Sequence, residues 1–364
     1  MKAAVCYQFG EPLRIAEVSI EAPKAGEVMV RVAAVAICHS DISSIHGDFA
    51  PHLPLVAGHE AAGVVTEIGP GVAGLAPGQR VVVTLIRSCG HCFFCAQGEP
   101  YLCEGDFALK HESRVRDADG QSLHQGLDTG AFAEYVVVDQ SQVVPIPDEM
   151  PLDRAALLGC GVITGVGAVF NTARLQPGSY AVVVGAGGVG LNAVQAAAIA
   201  GANVIVALDT VDAKLEAARR FGATHTLNVE REKPRKIVQG LTHGRGADAV
   251  FLTVGSTAAV AQGLVLLRPG GALVMVGLPK WTAMAEFRLA DVIWNGQRML
   301  GSHMGSSRPQ VELPRLAEMY QSGKLKLDEL ITARYPLEQI NEAIAAVERG
   351  EALRNVIVLA PELL

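Results

Sequence analysis

Positive charge is in short supply in this chain: 30 lysines and arginines stand against 37 aspartates and glutamates, a formal net charge of -7. Nucleic acid and anionic membrane both require a basic face, so neither is an expected partner, and a small molecule is. The N-terminus, Met1-Lys2-Ala3-Ala4-Val5-Cys6, has no charged leader followed by an apolar run. No secretory signal is read there, and the expected location is cytoplasmic. Charge is missing altogether between Arg174 and Asp209, which taken alone would suit a membrane-spanning helix. Glycines in mid-run and a switch from extended to helical pattern divide that stretch into pieces too short to cross a bilayer. What is present is 364 residues, 50% of them hydrophobic, enough for sizeable cores in two domains.

The charge-free stretch carries the densest signal. Val182-Val183-Val184 suits a buried parallel strand, and it breaks at once into Gly185-Ala186-Gly187-Gly188-Val189-Gly190. Residues 191–200, rich in alanine and without proline, predict a helix that starts at those glycines. A second apolar run, 204–208, ends on Asp209. Each position has a mechanical reason: Gly185 allows the tight turn, Gly187 lets the backbone approach a pyrophosphate, and Gly190 lets the helix pack on the strand. Asp209, about 20 residues on, is placed to accept hydrogen bonds from an adenosine ribose.

Seven cysteines are an odd number, and in a reducing compartment their close spacing points to metal ligation over disulfides. Cys89-x2-Cys92-x2-Cys95-x7-Cys103 puts four thiolates in one loop, the density at which a tetrahedral structural zinc site closes. A nucleic-acid-binding zinc ribbon is the competing reading, and it needs the basic face the chain lacks. Three further pieces are scattered: Cys38-His39-Ser40-Asp41 directly after an apolar strand, Gly58-His59-Glu60, and Leu158-Gly159-Cys160-Gly161. Taken singly these read as a buried thiol, a loop histidine and a flexible link. Together they offer the ligand types that hold zinc with one position open. Cys6 is left as a buried small hydrophobe.

Short β-prone runs at 14–18 and 28–36, punctuated by Pro12, Pro23 and Gly26, predict a β-rich first domain. Residues 114–127 are polar and predict a surface loop, and strand pattern returns at 130–138 and 143–147. The crossing into a second domain is placed at 151–161. After the glycines, a helix at 213–221, a strand at 249–254, a helix at 258–267 and strands at 271–277 and near 299–303 alternate, which implies a doubly wound parallel sheet. The tail predicts helices at 313–322 and 337–349 and a strand at 354–359 that folds back onto the first domain. The expected boundaries are 1–161, 162–303 and 304–364.

In this order the motifs resemble the zinc-containing medium-chain alcohol dehydrogenases: Cys38-His39-Ser40-Asp41, Gly58-His59-Glu60-x2-Gly63-x5-Gly69-x2-Val72, the four-cysteine lobe, Cys160, and 185–209. The likeness runs over essentially the whole chain. Leu158-Gly159-Cys160-Gly161 and Phe170-Asn171-Thr172-Ala173 look nearest the branch that contains the class III, glutathione-dependent formaldehyde dehydrogenases. The resemblance implies an α/β fold, with a Rossmann domain beside a β-rich GroES-like catalytic domain that carries the structural zinc lobe. It implies two zinc ions per chain, one on Cys38, His59 and Cys160 with Glu60 able to approach it, the other on Cys89, Cys92, Cys95 and Cys103. It further implies Asp41 as the acceptor that orients His59, Ser40 as the first carrier of the alcohol proton, and His39 and Arg354 facing the pyrophosphate of NAD. Thr164 and Val189 would press the nicotinamide, Gly188 would join the other glycines of the turn, and Lys214 would lie beside the ribose.

Some positions depart from the family pattern. Ser43 stands where many members carry a relay histidine, leaving water or His46 for the proton's exit. Leu85 replaces the usual aromatic wall of the substrate pocket, Gly126 and Leu127 face it, and Leu278 and His303 complete the implied lining. Asp48-Phe49-Ala50-Pro51 lacks the acidic residues by which class III recognises its glutathione adduct. The expected activity is zinc-dependent oxidation of an alcohol with hydride transfer to NAD, in a homodimer or homotetramer. The alternatives are an aldehyde reductase, an S-(hydroxymethyl)glutathione-type dehydrogenase and, outside enzymes, a nucleotide-sensing protein with structural zinc only. Metal content separates the last from the rest.

Overall fold

The computed structural model describes residues 1–49 and 52–364; Ala50 and Pro51, the end of the tetrapeptide compared with class III, lie outside them. The chain forms two compact units, Met1–Gly161 together with Arg308–Leu364, and Val162–Ser307.

The first unit is built on the strand Glu27–Ala36, a valine- and alanine-rich run with nine of its ten residues buried. A strand with both faces covered needs apolar side chains at successive positions, and the sequence supplies them. It pairs antiparallel with Glu60–Ile68, with Tyr135–Asp139 and with Arg354–Val358. Arg80–Val83 and Val143–Pro145 extend the sheet on one side, and Ile331–Pro336 lies parallel to Arg354–Val358 on the other. The expected tail strand thus joins the sheet of the first unit. A second, six-stranded sheet contains Lys2–Cys6 and the short strand Leu55–Val56, which leads toward His59.

Two parts of this unit differ from the sequence reading. Residues 114–127, expected as a polar surface loop, contain the strands Val115–Arg116 and Ser122–Gln125. Arg114 is 1% exposed, its guanidinium donating to both carboxylate oxygens of Glu27 at 2.9 and 2.6 Å. A bidentate partner makes burial of the charge tolerable, and composition cannot reveal a partner 87 residues away. The crossing placed at 151–161 ends where the first unit ends, at Gly161, but it is helical, part of the stretch Leu152–Ala173. It is long and apolar enough to span a membrane, but most of it is buried inside the protein, as in the core helix of a globular fold.

The second unit carries a six-stranded parallel sheet, in the order His225–Asn228, Val204–Asp209, Tyr180–Val184, Ala247–Leu252, Leu267–Met275, Arg298–Gly301. Numbered along the chain this is 3-2-1-4-5-6, the doubly wound order, and the direction of winding reverses beside Tyr180–Val184. Ligands of such sheets bind at the carboxyl ends of the strands at that reversal. Residue 185, the first glycine of the motif, stands there.

Candidate active site

Cys38, His59, Glu60 and Cys160 come from three separate stretches of the first unit, yet their ligand atoms all lie within 4.8 Å of one another and all four residues are buried. Asp41 brings two of these stretches together. Lying in the first turn of the helix His39–Ile45, it accepts from the Cys38 N–H with Oδ2 at 3.1 Å, and with Oδ1 from the Gly58 N–H at 3.0 Å and from His59 Nδ1 at 2.7 Å. A proton fixed on Nδ1 leaves the lone pair on Nε2, and His59 Nε2 is buried with no hydrogen-bond partner among the described residues. Glu60 is similar: Oε2 is ion-paired with Arg354, while Oε1 is buried and unpartnered. Cys160 is positioned from the other side, since Thr84 Oγ1 donates to the Gly159 carbonyl at 2.8 Å.

The titration of these groups follows from their packing. Burial pulls the His59 imidazole down, but Asp41 outweighs it and holds the ring well above its usual range, so a metal at Nε2 would have to displace a proton. The hydrogen bond from Cys160 and the nearby His59 hold the Cys38 thiol well below its usual range, and the same contact, with burial, pushes Cys160 well up. Burial pushes the Glu60 carboxyl up to about 7 against the pull of Arg354. Two thiols, an imidazole and a carboxyl converging on two orphaned buried atoms form a donor set that fits a zinc ion.

The second cluster is local. Cys89, Cys92, Cys95 and Cys103 also place their ligand atoms within 4.8 Å of one another, each half-buried. Backbone N–H groups already point at the sulfurs: Cys92 N donates to Cys89 Sγ at 3.3 Å, Cys89 N and Gly105 N to Cys103 Sγ at 3.2 and 3.3 Å. The backbone hydrogen bonds from Cys95 and Glu104 lower Cys92 to about 6. Burial pushes Cys95 up to about 12, so its thiol would lose its proton to a bound cation; four thiols so grouped suit a closed tetrahedral site.

In the second unit the glycine turn has the geometry its sequence demands. Gly185 has φ +94°, and a Cβ at Gly190 would stand 1.8 Å from the Gly185 carbonyl oxygen. Gly187 caps the helix Gly188–Ile199, and a Cβ there would meet nothing within 4 Å, which leaves open space at the helix N-terminus for an anion. Asp209 accepts from Ala186 N (2.7 Å, Oδ2) and from Thr210 N and Val211 N (2.8 and 2.9 Å, Oδ1). Acceptor capacity remains on Oδ2 for a ribose hydroxyl.

The pattern defining the alcohol dehydrogenase GroES-like domain matches residues 24–148, and that of the zinc-binding dehydrogenases matches residues 188–322. Over 98% of this chain, and 98% of its own length, the NDMA-dependent alcohol dehydrogenase of Amycolatopsis methanolica is 37% identical. The chain belongs to the zinc-containing medium-chain alcohol dehydrogenase family. A class III alcohol dehydrogenase of Cereibacter sphaeroides is 34% identical over 98% of this chain and 99% of its own. Among solved structures, benzyl alcohol dehydrogenase from Acinetobacter calcoaceticus superposes with a TM-score of 0.92 at 32% identity, covering 99% of both chains.

Against this family background the other expected residues can be placed. Ser40 and Ser43 lie half-exposed on the helix His39–Ile45, and His39 is exposed at its start. His46, the candidate for the proton's exit, has Nε2 2.8 Å from Glu348 Oε1 at the surface. Arg354, expected to face pyrophosphate, is 6% exposed with its guanidinium on Glu60. Leu85, Gly126 and Leu127 belong to the first unit; Thr164, Val189, Lys214, Leu278 and His303 belong to the second. Thr164 Oγ1 lies 3.5 Å from Met304 Sδ, and Lys214 is half-buried on the helix Asp212–Arg220. Thr210-Val211-Asp212, the segment after Asp209, holds no arginine, and Arg231 ion-pairs with Asp212 from outside it. The Glu60–Arg354 pair and the Thr84 contact were not visible in the sequence, because both depend on which strands pair.

Proposed function

We propose that the protein oxidises an alcohol bulkier than ethanol to its aldehyde or ketone, with NAD as the hydride acceptor. The observation that carries this reading is the buried Cys38–His59–Cys160 donor set, with His59 Nε2 unpartnered and its tautomer fixed by Asp41. When bound, zinc supplies the Lewis acidity that makes an alcohol hydroxyl easy to deprotonate, and the nicotinamide supplies the hydride acceptor. Cys38, His59 and Cys160 would hold the metal, and Asp41 would keep the imidazole turned toward it. Glu60 shares its charge with Arg354, so it can approach the metal without leaving a buried charge unpaired. Ser40 takes the hydroxyl proton and passes it on to water, since Ser43 cannot hold it as a stable cation and His46 is engaged by Glu348. The open space at Gly187 and the dipole of the following helix receive the diphosphate. Asp209 accepts from a ribose hydroxyl and repels a 2′-phosphate, which favours NAD over NADP. Leu85 stands where the family resemblance implies an aromatic wall, so it would leave room for a longer substrate, each methylene buried adding roughly 0.8 kcal/mol.

The working form is proposed to be a homodimer. Trp281, Met284, Ile293 and Trp294 are 72, 83, 71 and 91% exposed in one short segment beside the edge strand Arg298–Gly301, an apolar surface that a second copy would cover. Light scattering checks the association.

The deciding experiment measures NADH formation over a series from ethanol to hexanol with benzyl alcohol, and with formaldehyde plus glutathione, alongside zinc analysis. The expected result is about two zinc ions per chain, rising efficiency with chain length, and NAD at least about tenfold better than NADP. Preference for ethanol, or equal use of the two cofactors, refutes the corresponding part.

A further inference from the structure

Leu127 and Asp128 are adjacent non-glycine residues with φ of 48° and 60°, the left-handed region that L-residues occupy only under constraint. They belong to the turn Gly126–Asp128, which packs against the helix His39–Ile45 that carries Ser40 and Asp41. The same turn runs close to the approach to His59. A Cβ added at Gly126 would stand 3.1 Å from Ala57 Cα, and just past the turn Ala131 N donates to the Gly58 carbonyl at 2.8 Å. The turn therefore packs beside the segment that leads into His59 and against the helix that carries Ser40, with two non-glycine residues in the left-handed region.

Two buried side chains hold it. The Asp128 carbonyl accepts from Arg87 Nη2 at 2.8 Å and from Gln142 Nε2 at 3.0 Å, and Arg87 Nη1 lies 3.2 Å from Asp128 Oδ1. Arg87 Nε donates to Gln142 Oε1 at 2.8 Å, so the two clamps also fix each other. Gln142 Nε2 reaches the Thr84 carbonyl at 2.9 Å as well, and Thr84 in turn fixes Gly159, the residue before Cys160. Arg87 and Gln142 are 6% and 0% exposed. A buried guanidinium is costly, and here its fork is directed at a strained turn and at the amide that ties this turn to the Cys160 segment.

We propose that Arg87 and Gln142 are positioning residues that hold Leu127 as a rigid wall beside the metal cluster and thereby set the discrimination between alcohols of different size. The inference rests on the proposed alcohol dehydrogenase activity. An apolar wall discriminates only as well as it resists displacement, and a turn in the left-handed region relaxes once its clamps are removed.

The test compares the wild type with Arg87→Leu, Arg87→Lys and Leu127→Gly on the ethanol-to-hexanol series and benzyl alcohol. It resolves kcat from KM, and adds zinc analysis and amide hydrogen exchange over residues 126–130 without substrate. Arg87→Leu is expected to compress the spread of kcat/KM across the series by about tenfold, through KM, with faster exchange at 126–130 and both zinc ions retained. Arg87→Lys should recover part of the spread. Leu127→Gly removes the wall and its strain together, should compress the spread as well, and decides the matter if Arg87→Leu does not fold. A uniform fall in kcat with the spread intact, unaltered exchange at 126–130, or an unchanged spread in Leu127→Gly overturns the inference. An active wild type with those outcomes refutes the clamp alone, whereas a wild type that turns over no alcohol removes the functional reading and the clamp with it.

Discussion

The two cysteine clusters use the same element in opposite ways. In the lobe, four thiols come from one loop of 89–103, remain half-exposed, and already receive backbone N–H groups on their sulfurs. In the other cluster the donors come from a helix cap, a strand start and the helical stretch after residue 152; they are buried, and two of their polar atoms have no partner among the described residues. A satisfied set of like ligands is a fastening. An unsatisfied set of mixed ligands stores a cost of desolvation that only a bound group relieves, and this is what makes it a site for chemistry. The difference lies in the donors: the lobe offers four like thiols from one loop, and the buried cluster offers a mixed set from three stretches of chain.

The largest test of that contrast is Cys160→Ala. It should reduce alcohol oxidation to background and leave about one zinc per chain, with the lobe still loaded; full turnover would remove Cys160 from the set. A smaller effect is expected from Asp41→Asn. The amide can still accept from backbone N–H groups, but it loses the charge that fixes the His59 proton on Nδ1, and loss of such a partner typically costs 10–100-fold in metal affinity or activity. Titration of zinc with a competing chelator measures it, and an unchanged affinity would show that the fold alone orients His59. The smallest effect on turnover belongs to Cys92→Ser. The lobe should lose its metal and the protein several degrees of melting temperature, while the fraction that stays folded keeps its kcat. If kcat falls in parallel with zinc occupancy of the lobe, the two clusters are not independent.

The sequence by itself determined what is local. Four cysteines within fifteen positions can close on one metal whatever the rest of the chain does, and a strand followed by Gly185, Gly187 and Gly190 is dictated by hard contacts such as the 1.8 Å that any Cβ at Gly190 would face. The alternation after residue 180 likewise carried the doubly wound sheet, because parallel strands need intervening helices. Tertiary structure decided whatever depends on strand pairing. Arg114 looks like a loop residue until Glu27 meets it, and the crossing at 151–161 shows itself as part of the buried helical stretch Leu152–Ala173 only in the fold. Arg354 resembles a free cation until the tail strand, paired in register with Glu27–Ala36, delivers it to Glu60. Arg87 and Gln142 show no signal in sequence, since each is defined by a carbonyl on another part of the chain. Spacing encodes contacts made within a turn or two; a contact across a sheet is encoded in the register of every strand between the partners, and no short motif contains it.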